Sequence, residues 1–598
     1  MSLPLALRVA SLATLMACTA ACTRACRDAN NTPNVEVSTT PTLKRPSAAG
    51  DAAQPANKTA AAVGASNARS ALGYNMDLPG DWSLLAPFLD LMHDARVWEA
   101  GSPEATAKLV LDEQGIPKRL GPNEGATAII HTGETPEFLG HTWVLAYEGK
   151  GVLRIDGGVQ VLDERPGRTR FRGKGDNVWL SLQQTDPADH IRNIRVFRED
   201  REQLLNEGKI FNPDLLDFLA PFGSLRFMDW AHSNEPEQAQ GIKWSERSKL
   251  SQPQWLRQYI DPTKPALGVT RGGYPVETLV TLANELGTDA HFHMPYKFED
   301  EYVREYAKVV RDSLASNLIA TVEYSNEVWN WGFPQATYAR EQAEKLWPGE
   351  GSGWVQYMGM RASRMCTIWK EVFAGQLHRL RCVIAPQTGW PDLAVESLEC
   401  PRWVAQGHEP CYKAADAVAI TGYFSGRLQT AESAKVVKGW LAKGKENALG
   451  KAFRQLEYGD VKEITEDGNP AVGEKSDSLQ RAIELFRAHK AIADKFGLEL
   501  YVYEGGTHFD HGNDEEHKKF LLEIVHDDRM RVLYGKLFAG FRDTGGTIFN
   551  VWGGIGPDSV WTNARTLNDR THPKYRAEVE FAQSSPCWWT DCDRSKRH

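Results

Sequence analysis

Short apolar strands alternate with amphipathic helices along most of the chain from about residue 211 onward. One such strand runs from Ile319 to Tyr324, and the helix before it, Asp300 to Ala315, carries its apolar residues at helical spacing. Counting the run from Leu72 to Asn75 near the amino terminus, eight strands can be placed. Repeated strand–helix–strand units of this number predict an α/β fold, a parallel sheet closed into a (β/α)8 TIM barrel.

The most informative strand end lies in LIATVEYSNEVWNWGF, residues 318–333. The strand breaks at Ser325 and is followed at once by Glu327, with Trp329 and Trp331 close behind. Tryptophan walls would partly desolvate this carboxyl and raise its pKa, and a neighbouring amide would fix its orientation. The stretch therefore predicts a general acid at Glu327.

A second glutamate, Glu504, ends the apolar and aromatic run 500–503 and precedes two glycines that let the backbone turn away. Two strand-end carboxyl groups about 5 Å apart are what a retaining glycosidase uses, one as acid/base and one as nucleophile. Either glutamate alone would more often be a surface carboxylate at the end of a strand. Together they favour glycoside hydrolysis.

These motifs resemble the clan A glycoside hydrolases, the (β/α)8-barrel superfamily that includes the family 5 cellulases and mannanases. In that clan, Asn-Glu ends strand four and Glu ends strand seven, and the likeness covers roughly residues 70–100 and 205–580. The resemblance implies that Asn326 binds the sugar 2-hydroxyl, that Glu327 is the acid/base and that Glu504 is the nucleophile.

The resemblance extends to other strand ends. It implies substrate-site roles for Arg226, which would orient the nucleophile, for His293, for Tyr423, which would hydrogen-bond the nucleophile, and for Trp552, the platform under the sugar. His508, in the loop after Glu504, is expected to bind sugar hydroxyls rather than a metal, and His293 has the alternatives of a metal ligand or a core histidine. Strand five departs from family 5, because Gln387 or Trp390 stands where a histidine is often found, so the exact family is not assigned.

Residues 102–200 differ in character from the barrel segments. They contain short β-rich runs separated by Gly, Pro and Asp turns, which predict an all-β sandwich inserted after the first barrel strand. Trp143, Tyr147 or Trp179 could bind glycan there, or they could fill the sandwich core. The barrel would then begin in residues 71–101 and continue through residues 201–585, with 586–598 as a tail.

The first residues predict export. Residues 1–26 contain a short apolar segment followed by Leu15-Met16-Ala17-Cys18, which resembles a lipobox and would place a lipid on Cys18. Residues 27–70 are rich in Ala, Thr, Pro, Asn and Ser and predict a disordered tether. The alternative is an ordinary cleaved signal and a secreted protein. We therefore expect a lipoprotein of the cell envelope, periplasmic or at the cell surface, or a secreted protein.

Cysteine usage agrees with export. Beyond the leader region the six cysteines fall into close pairs that would suit disulfides in an oxidising compartment: Cys366 with Cys382, Cys400 with Cys411, and Cys587 with Cys592. No pair has the spacing of a zinc site, so no metal is predicted.

The sequence as a whole predicts a retaining glycoside hydrolase acting on a β-linked polysaccharide of the cell envelope or the extracellular space. No cofactor is expected, and the mild net charge of −9 does not indicate nucleic acid as a partner. Membrane contact is expected only through the lipid anchor, and the oligomeric state is left open. The alternatives are a glycan-binding lipoprotein without catalysis, and a transglycosylase or lyase on the same barrel.

Overall fold

The computed structural model describes residues 70–78, 80–121, 124–234, 243–255, 273–349, 351–466, 476–509, 514–584 and Trp588. The predicted leader with Cys18, nearly all of the predicted tether, and the tail apart from Trp588, including Cys587 and Cys592, lie outside the described residues.

The strands are numbered in chain order. They are β1 Leu72–Asn75, β2 Val110–Leu111, β3 Pro117–Arg119, β4 Ala126–His131, β5 Thr142–Glu148, β6 Gly151–Arg165, β7 Arg168–Thr185, β8 Arg192–Arg198, β9 Ser224–Arg226, β10 Asp289–Met294, β11 Ala320–Tyr324, β12 Leu380–Ile384, β13 Ala417–Phe424, β14 Glu499–Thr507, β15 Phe549–Val551, β16 Gly554–Ile555 and β17 Thr562–Ala564.

The helices follow the same convention. They are α1 Pro103–Thr106, α2 Pro136–Leu139, α3 Glu202–Asn206, α4 Pro213–Leu219, α5 Val276–Leu286, α6 Asp300–Ser313, α7 Pro334–Leu346, α8 Gly353–Val372, α9 Pro391–Glu399, α10 Pro401–Val404, α11 Ala431–Leu441, α12 Lys445–Tyr458, α13 Lys462–Glu466, α14 Leu479–Phe496, α15 Glu515–His526, α16 Arg529–Thr544 and α17 Pro573–Ser584.

Within the described residues, eight strands close into a barrel in the order β1-β15-β14-β13-β12-β11-β10-β9. Every neighbouring pair in this ring is parallel, including the closing pair of β1 and β9. The predicted (β/α)8 barrel is confirmed, and each of the eight predicted strands is present. Because all strands run the same way, their carboxyl ends meet at one mouth.

Residues alternate across the barrel wall. Outward-facing side chains such as Val322, Tyr324 and Phe292 join the main apolar core under the helices. The inward-facing side chains of β12, β13 and β14 form a smaller apolar cluster that includes Val383, Ala419 and Tyr503. The other half of the interior is polar, and this polar half carries the candidate site.

Between β1 and β9 the chain forms an antiparallel β insert. The long strand β7 pairs with β5 through residues 168–172 and with β4 through residues 178–182, while β6 follows it along its whole length. Side chains from both halves of β7, Phe171 and Leu180 among them, pack into one core. The structure therefore differs from the predicted sandwich: strands β4 to β8 form one continuous sheet, because β6 and β7 are long enough to serve both halves.

The insert's aromatic residues are divided between core and surface. Trp143 is 4% exposed and donates from its indole nitrogen to the carbonyl of Phe138 at 3.0 Å, so it fills the core. Tyr147 and Trp179 are partly exposed, and their predicted contact with glycan stays a prediction.

One of the predicted disulfides is present, between Cys400 and Cys411. The predicted pairing of Cys366 with Cys382 is wrong in this structure, where both are buried free thiols. Burial raises the pKa of Cys382 well above its usual range, and the reactive thiolate is thereby disfavoured. Across the described part of the chain, no helix is both long and apolar enough to cross a bilayer.

Candidate active site

Strand β11 brings Glu327 to the barrel mouth through a left-handed turn. The strand alternates regularly until Tyr324, and Ser325 then takes φ 57° and Glu327 takes φ 40°. Left-handed backbone is uncommon for residues other than glycine and is found at sites where the surrounding structure enforces it. The turn ends the alternation of the strand. The side chains of the consecutive residues Asn326 and Glu327 therefore both contact the site, Asn326 through Arg226 and Glu327 through Asn330.

The Glu327 carboxyl is held by two hydrogen bonds. Asn330 donates from Nδ2 to Oε2 at 2.8 Å, and the Tyr503 hydroxyl donates to Oε1 at 3.2 Å. Glu327 is only 8% exposed. Burial, then the charge and hydrogen bonding of Glu504, raise its pKa well above the usual range, and the bonds from Asn330 and Tyr503 lower it only in part. Glu327 is therefore a carboxyl of fixed orientation whose surroundings favour the protonated form.

Glu504 reaches the same place from β14 through a bulge. The pairing of β14 with β13 shifts between Val502 and Glu504, opposite Ile420 and Thr421. A bulge re-aims the side chains beside it, so consecutive residues no longer point to opposite faces. As a result, Tyr503 and Glu504 both turn toward the site, one bonding Glu327 and the other accepting from Arg226.

Arg226, the last residue of β9, lies at the centre of the site with no solvent exposure. Its Nη1 donates to Asn75 Oδ1 and to Glu504 Oε2, both at 2.9 Å. Its Nη2 donates to Asn326 Oδ1 at 2.8 Å. One guanidinium therefore ties together the ends of four strands, β1, β9, β11 and β14, and fixes the orientation of Glu504.

Glu323, one layer deeper on β11, balances the charge of Arg226. Arg226 donates to both of its oxygens at 3.2 Å, through Nε and Nη2. Burial alone would raise the pKa of Glu323, but Arg226, His293 and His291 outweigh it and lower the pKa to about 2. Glu323 is therefore a permanent anion beneath the mouth.

Two buried histidines flank Glu323. His291 Nε2 lies 2.9 Å from Glu323 Oε2, and His293 Nε2 lies 3.7 Å from the same oxygen. Burial lowers the pKa of both rings, and Glu323 opposes this effect. His293 donates from Nδ1 to the carbonyl of Ser325 at 2.7 Å and so supports the left-handed turn from below.

The trio of His291, His293 and Glu323 has the composition of a metal site, with ligand atoms within 4.8 Å of one another. It does not fit a divalent cation, because Arg226 already bonds to both carboxylate oxygens of Glu323. A cation bound there would lie next to a buried guanidinium, at a high electrostatic cost. The cluster is instead a buried ion pair between Arg226 and Glu323, flanked by two histidine rings.

Most of the predicted site residues lie together. Glu327, Glu504, Arg226 and Asn326 share the network described above. Tyr423 and His508 belong to a partly exposed aromatic group with Trp561, in which His508 lies 5.1 Å from Tyr423 and 4.9 Å from Trp561 between ring centroids. Burial and then the charge of Glu504 raise the pKa of Tyr423.

Two predicted residues have other positions. The His293 side chain is fully buried below the mouth, which does not suit the predicted contact with a sugar hydroxyl. Trp552 directly follows β15, is partly exposed, and donates its backbone N–H to the carbonyl of Gly505 at 2.8 Å. Its predicted role as a platform stays a prediction.

The sequence reasoning missed four residues that shape the site: Asn75, Glu323, Asn330 and Tyr503. Asn75 donates to the carbonyls of Tyr503 and Val551 at 3.1 and 3.0 Å and so joins β1 to β14 and β15. A signal existed for Glu323, a charged residue at an inward position of a buried strand. A buried charge of this kind needs a partner, and the arginine ending β9 supplies it.

Comparisons with known proteins give no family. No protein-family model matches the sequence, and no curated protein matches it significantly. Among solved structures, the chain is similar to a GH51 arabinofuranosidase from Xanthomonas axonopodis pv. citri, at 12% identity and a TM-score of 0.35, over 62% of this chain and 66% of that one, just under two thirds of its length.

Two further solved structures are similar to the chain at comparably low identity and TM-score. A GH5-4 broad specificity endoglucanase from Bacteroides salanitronis matches at 13% identity and a TM-score of 0.33, over 63% of this chain and 86% of that one. A family 5 xyloglucanase from Paenibacillus pabuli matches at 9% identity and a TM-score of 0.33, over 62% and 90% of the two chains. TM-scores this low do not establish a shared function, so the proposal below rests on the geometry of the site.

Proposed function

We propose that this protein is a retaining glycoside hydrolase that cleaves a β-linked polysaccharide by double displacement. The observation that carries the proposal is the pair of Glu327 and Glu504 at the mouth of the barrel. Glu327 is buried with a raised pKa, whereas Glu504 accepts a hydrogen bond from the Arg226 guanidinium. Two carboxyl groups whose surroundings divide them into a proton donor and an anion form the acid and nucleophile pair of glycosidases.

In the first step, a Glu504 oxygen attacks the anomeric carbon and forms a glycosyl ester. The bond from that carbon to the leaving oxygen breaks, and Glu327 transfers its proton to this oxygen. Arg226 donates to Glu504 and orients it before the attack. Tyr503 and Asn330 fix the direction in which Glu327 presents its proton.

In the second step, the Glu327 carboxylate takes a proton from water, and the resulting hydroxide displaces Glu504 from the anomeric carbon. Esterification has by then removed the negative charge of Glu504, one of the causes that raise the pKa of Glu327. The same residue is thus an acid in the first step and a base in the second. Two inversions give net retention.

The closeness of the two carboxyl groups supports retention over inversion. Tyr503, the residue next to Glu504, reaches Glu327 with its hydroxyl, and the negative charge of Glu504 is one of the causes that raise the pKa of Glu327. An inverting pair lies further apart, at about 6.5–9.5 Å, so that a water molecule fits between acid and base.

The proposed setting is the cell envelope or the extracellular space. The disulfide between Cys400 and Cys411 supports an oxidising compartment. The proposal includes attachment to the membrane by a lipid on Cys18.

The test is a substrate screen with two matched variants. Wild type, Glu327→Gln and Glu504→Gln are incubated with β-glucans, mannans, xylans and bacterial exopolysaccharides, and reducing ends are measured. Release by the wild type alone supports the hydrolase, and equal release by all three proteins contradicts it. Binding without release by any of them would instead favour the glycan-binding alternative.

A further inference from the structure

Two exposed tryptophans lie on one side of the barrel mouth. Trp331 is 53% exposed and Trp390 is 57% exposed, the highest values among the tryptophans that the structure describes. Trp331 follows β11 and Trp390 follows β12, and these strands are neighbours in the barrel. Burying a tryptophan side chain would stabilise the fold, because it removes a large apolar surface from water. Two tryptophans that stay exposed on one rim therefore indicate a binding role.

Trp331 is held rigidly to the Glu327 carboxyl through Asn330. Asn330 donates from Nδ2 to Glu327 Oε2 at 2.8 Å, and its own Oδ1 accepts from the N–H of Gly332 at 2.9 Å. The N–H of Asn330 also donates to the carbonyl of Glu327 at 2.7 Å. Trp331 lies four positions after Glu327, so their Cα atoms are at most about 15 Å apart, within reach of a short oligosaccharide.

The surroundings of Trp331 combine an apolar face with a polar donor. Trp354 packs against it with ring centroids 4.8 Å apart at 52°, and the Arg340 guanidinium lies 5.6 Å from its ring centroid. A flat ring beside hydrogen-bond donors suits a sugar, whose pyranose has an apolar face and a rim of hydroxyls. A protein partner would call for a broad contiguous apolar patch, which single rings flanked by charge do not provide.

The loop that carries Trp390 is also fixed. The Thr388 hydroxyl accepts from the N–H of Thr421 on β13 at 2.7 Å, and the Thr388 carbonyl bonds His489 Nε2 at 2.9 Å. Trp390 itself accepts at its carbonyl from the N–H of Leu393 at 3.1 Å, at the start of α9. Both tryptophans are thus presented on rigid supports, which limits the ordering entropy of binding.

We propose that Trp331 and Trp390 form a binding site for sugar residues beyond the point of cleavage, so that the protein takes a glycan chain of several units. This inference rests on the proposed function, because it extends the chain outward from Glu327. It assigns the substrate to the class of polymers rather than to disaccharides or single glycosides.

The experiment measures how activity depends on chain length. kcat/KM is determined for β-linked gluco-, manno- and xylo-oligosaccharides of two to six units with the full-length protein and its Trp331→Ala, Trp331→Phe and Trp390→Ala variants. The ratio of the hexasaccharide value to the disaccharide value is expected to fall about tenfold in each alanine variant, the worth of one stacking contact, and to be largely restored by phenylalanine. Leu377→Ala is the matched control, because Leu377 is 50% exposed but precedes β12 at the opposite end of the barrel.

An unchanged ratio in both alanine variants would overturn the inference while leaving the hydrolase intact. If the wild type cleaves none of these oligosaccharides, the hydrolase proposal fails for them, and binding of the same series to Glu327→Gln by calorimetry becomes the test. Weaker hexasaccharide binding after adding Trp331→Ala would uphold the site. Unchanged binding, or no binding at all, would contradict it.

Discussion

The guanidinium of Arg226 lies 2.9 Å from the carboxylate of Glu504, and the two side chains are 0% and 7% exposed. The same guanidinium bonds Glu323, so one cation is shared between two carboxylates. Arg226 therefore orients Glu504, but its single positive charge is shared with Glu323. A nucleophile held in this way loses its freedom to rotate.

Replacing Arg226 by lysine should reduce kcat by about a hundredfold or more, with a smaller effect on KM. Lysine keeps the charge but cannot reach Asn75, Asn326 and Glu504 at once, because it lacks the planar fork of donors. Steady-state kinetics on a short glycoside measure the effect. If Arg226→Lys retained wild-type kcat, orientation by the guanidinium would not matter to the reaction.

Replacing Tyr503 by phenylalanine should move the alkaline limb of the pH–rate profile to higher pH. The Tyr503 hydroxyl stabilises ionised Glu327 and so lowers its pKa, and without it the acid form persists to higher pH. Tyr501→Phe is the matched control, because Tyr501 is buried on the same strand one interior layer below. A shift toward lower pH, or an equal shift in the control, would contradict this account.

Replacing Glu323 by glutamine should weaken the fold and change its response to acid. Removing one partner of a buried ion pair costs about 3–5 kcal/mol, since Arg226 is left without its counter-charge. The pKa of Glu323 is lowered to about 2 in the folded protein, so its stabilisation is full above about pH 4.3, its unfolded value, and is lost as pH falls toward 2. Urea unfolding between pH 2 and 7 should therefore show a shallower acid loss in Glu323→Gln than in the wild type.

Replacing Glu327 by glutamine should abolish hydrolysis and stabilise the protein at alkaline pH. Burial and Glu504 raise the pKa of Glu327 above its unfolded value, so folding is favoured most at low pH and this contribution is lost as pH rises through the folded pKa. Glutamine does not ionise and escapes that loss. Thermal unfolding should show a Tm gap in favour of Glu327→Gln that widens by about 2 °C toward high pH. A Tm difference that narrows toward high pH would contradict a raised pKa of Glu327.

The disulfide prediction is checked by alkylation before and after unfolding, followed by peptide mass mapping. Cys400 and Cys411 should appear as a linked pair, whereas Cys366 and Cys382 should be alkylated only after unfolding, because both thiols are buried. A linked Cys366–Cys382 peptide from the native protein would contradict the structure described above.

The strand ends could be predicted because they are local patterns. Alternation followed by Asn326 and Glu327, or by Glu504 and two glycines, can be read within a few residues, and parallel barrel topology then brings such ends together. The left-handed turn at Ser325 and the bulge beside Glu504 could not be predicted in this way. Both depend on pairing with strands that are distant in sequence.

The supporting residues escaped prediction for a related reason. Tyr503 belongs to an apolar and aromatic run in the sequence, yet its side chain faces the barrel interior and its hydroxyl bonds Glu327. His293 was expected at the mouth, but the register of β10 with β11 pairs it with Glu323, one layer lower. In a barrel, the position of a residue along its strand determines whether its side chain lines the mouth or lies one layer below it.

The most direct test of the central claim is the capture of the glycosyl ester. The protein is treated with 2-deoxy-2-fluoro glycosyl fluorides of the sugar that the substrate screen identifies, and the labelled peptide is sequenced by mass spectrometry. Retention by double displacement predicts one added glycosyl unit on Glu504, and none in Glu504→Gln. Labelling of a different residue in a protein that still hydrolyses its substrate, or inverted product with no label, would contradict the mechanism.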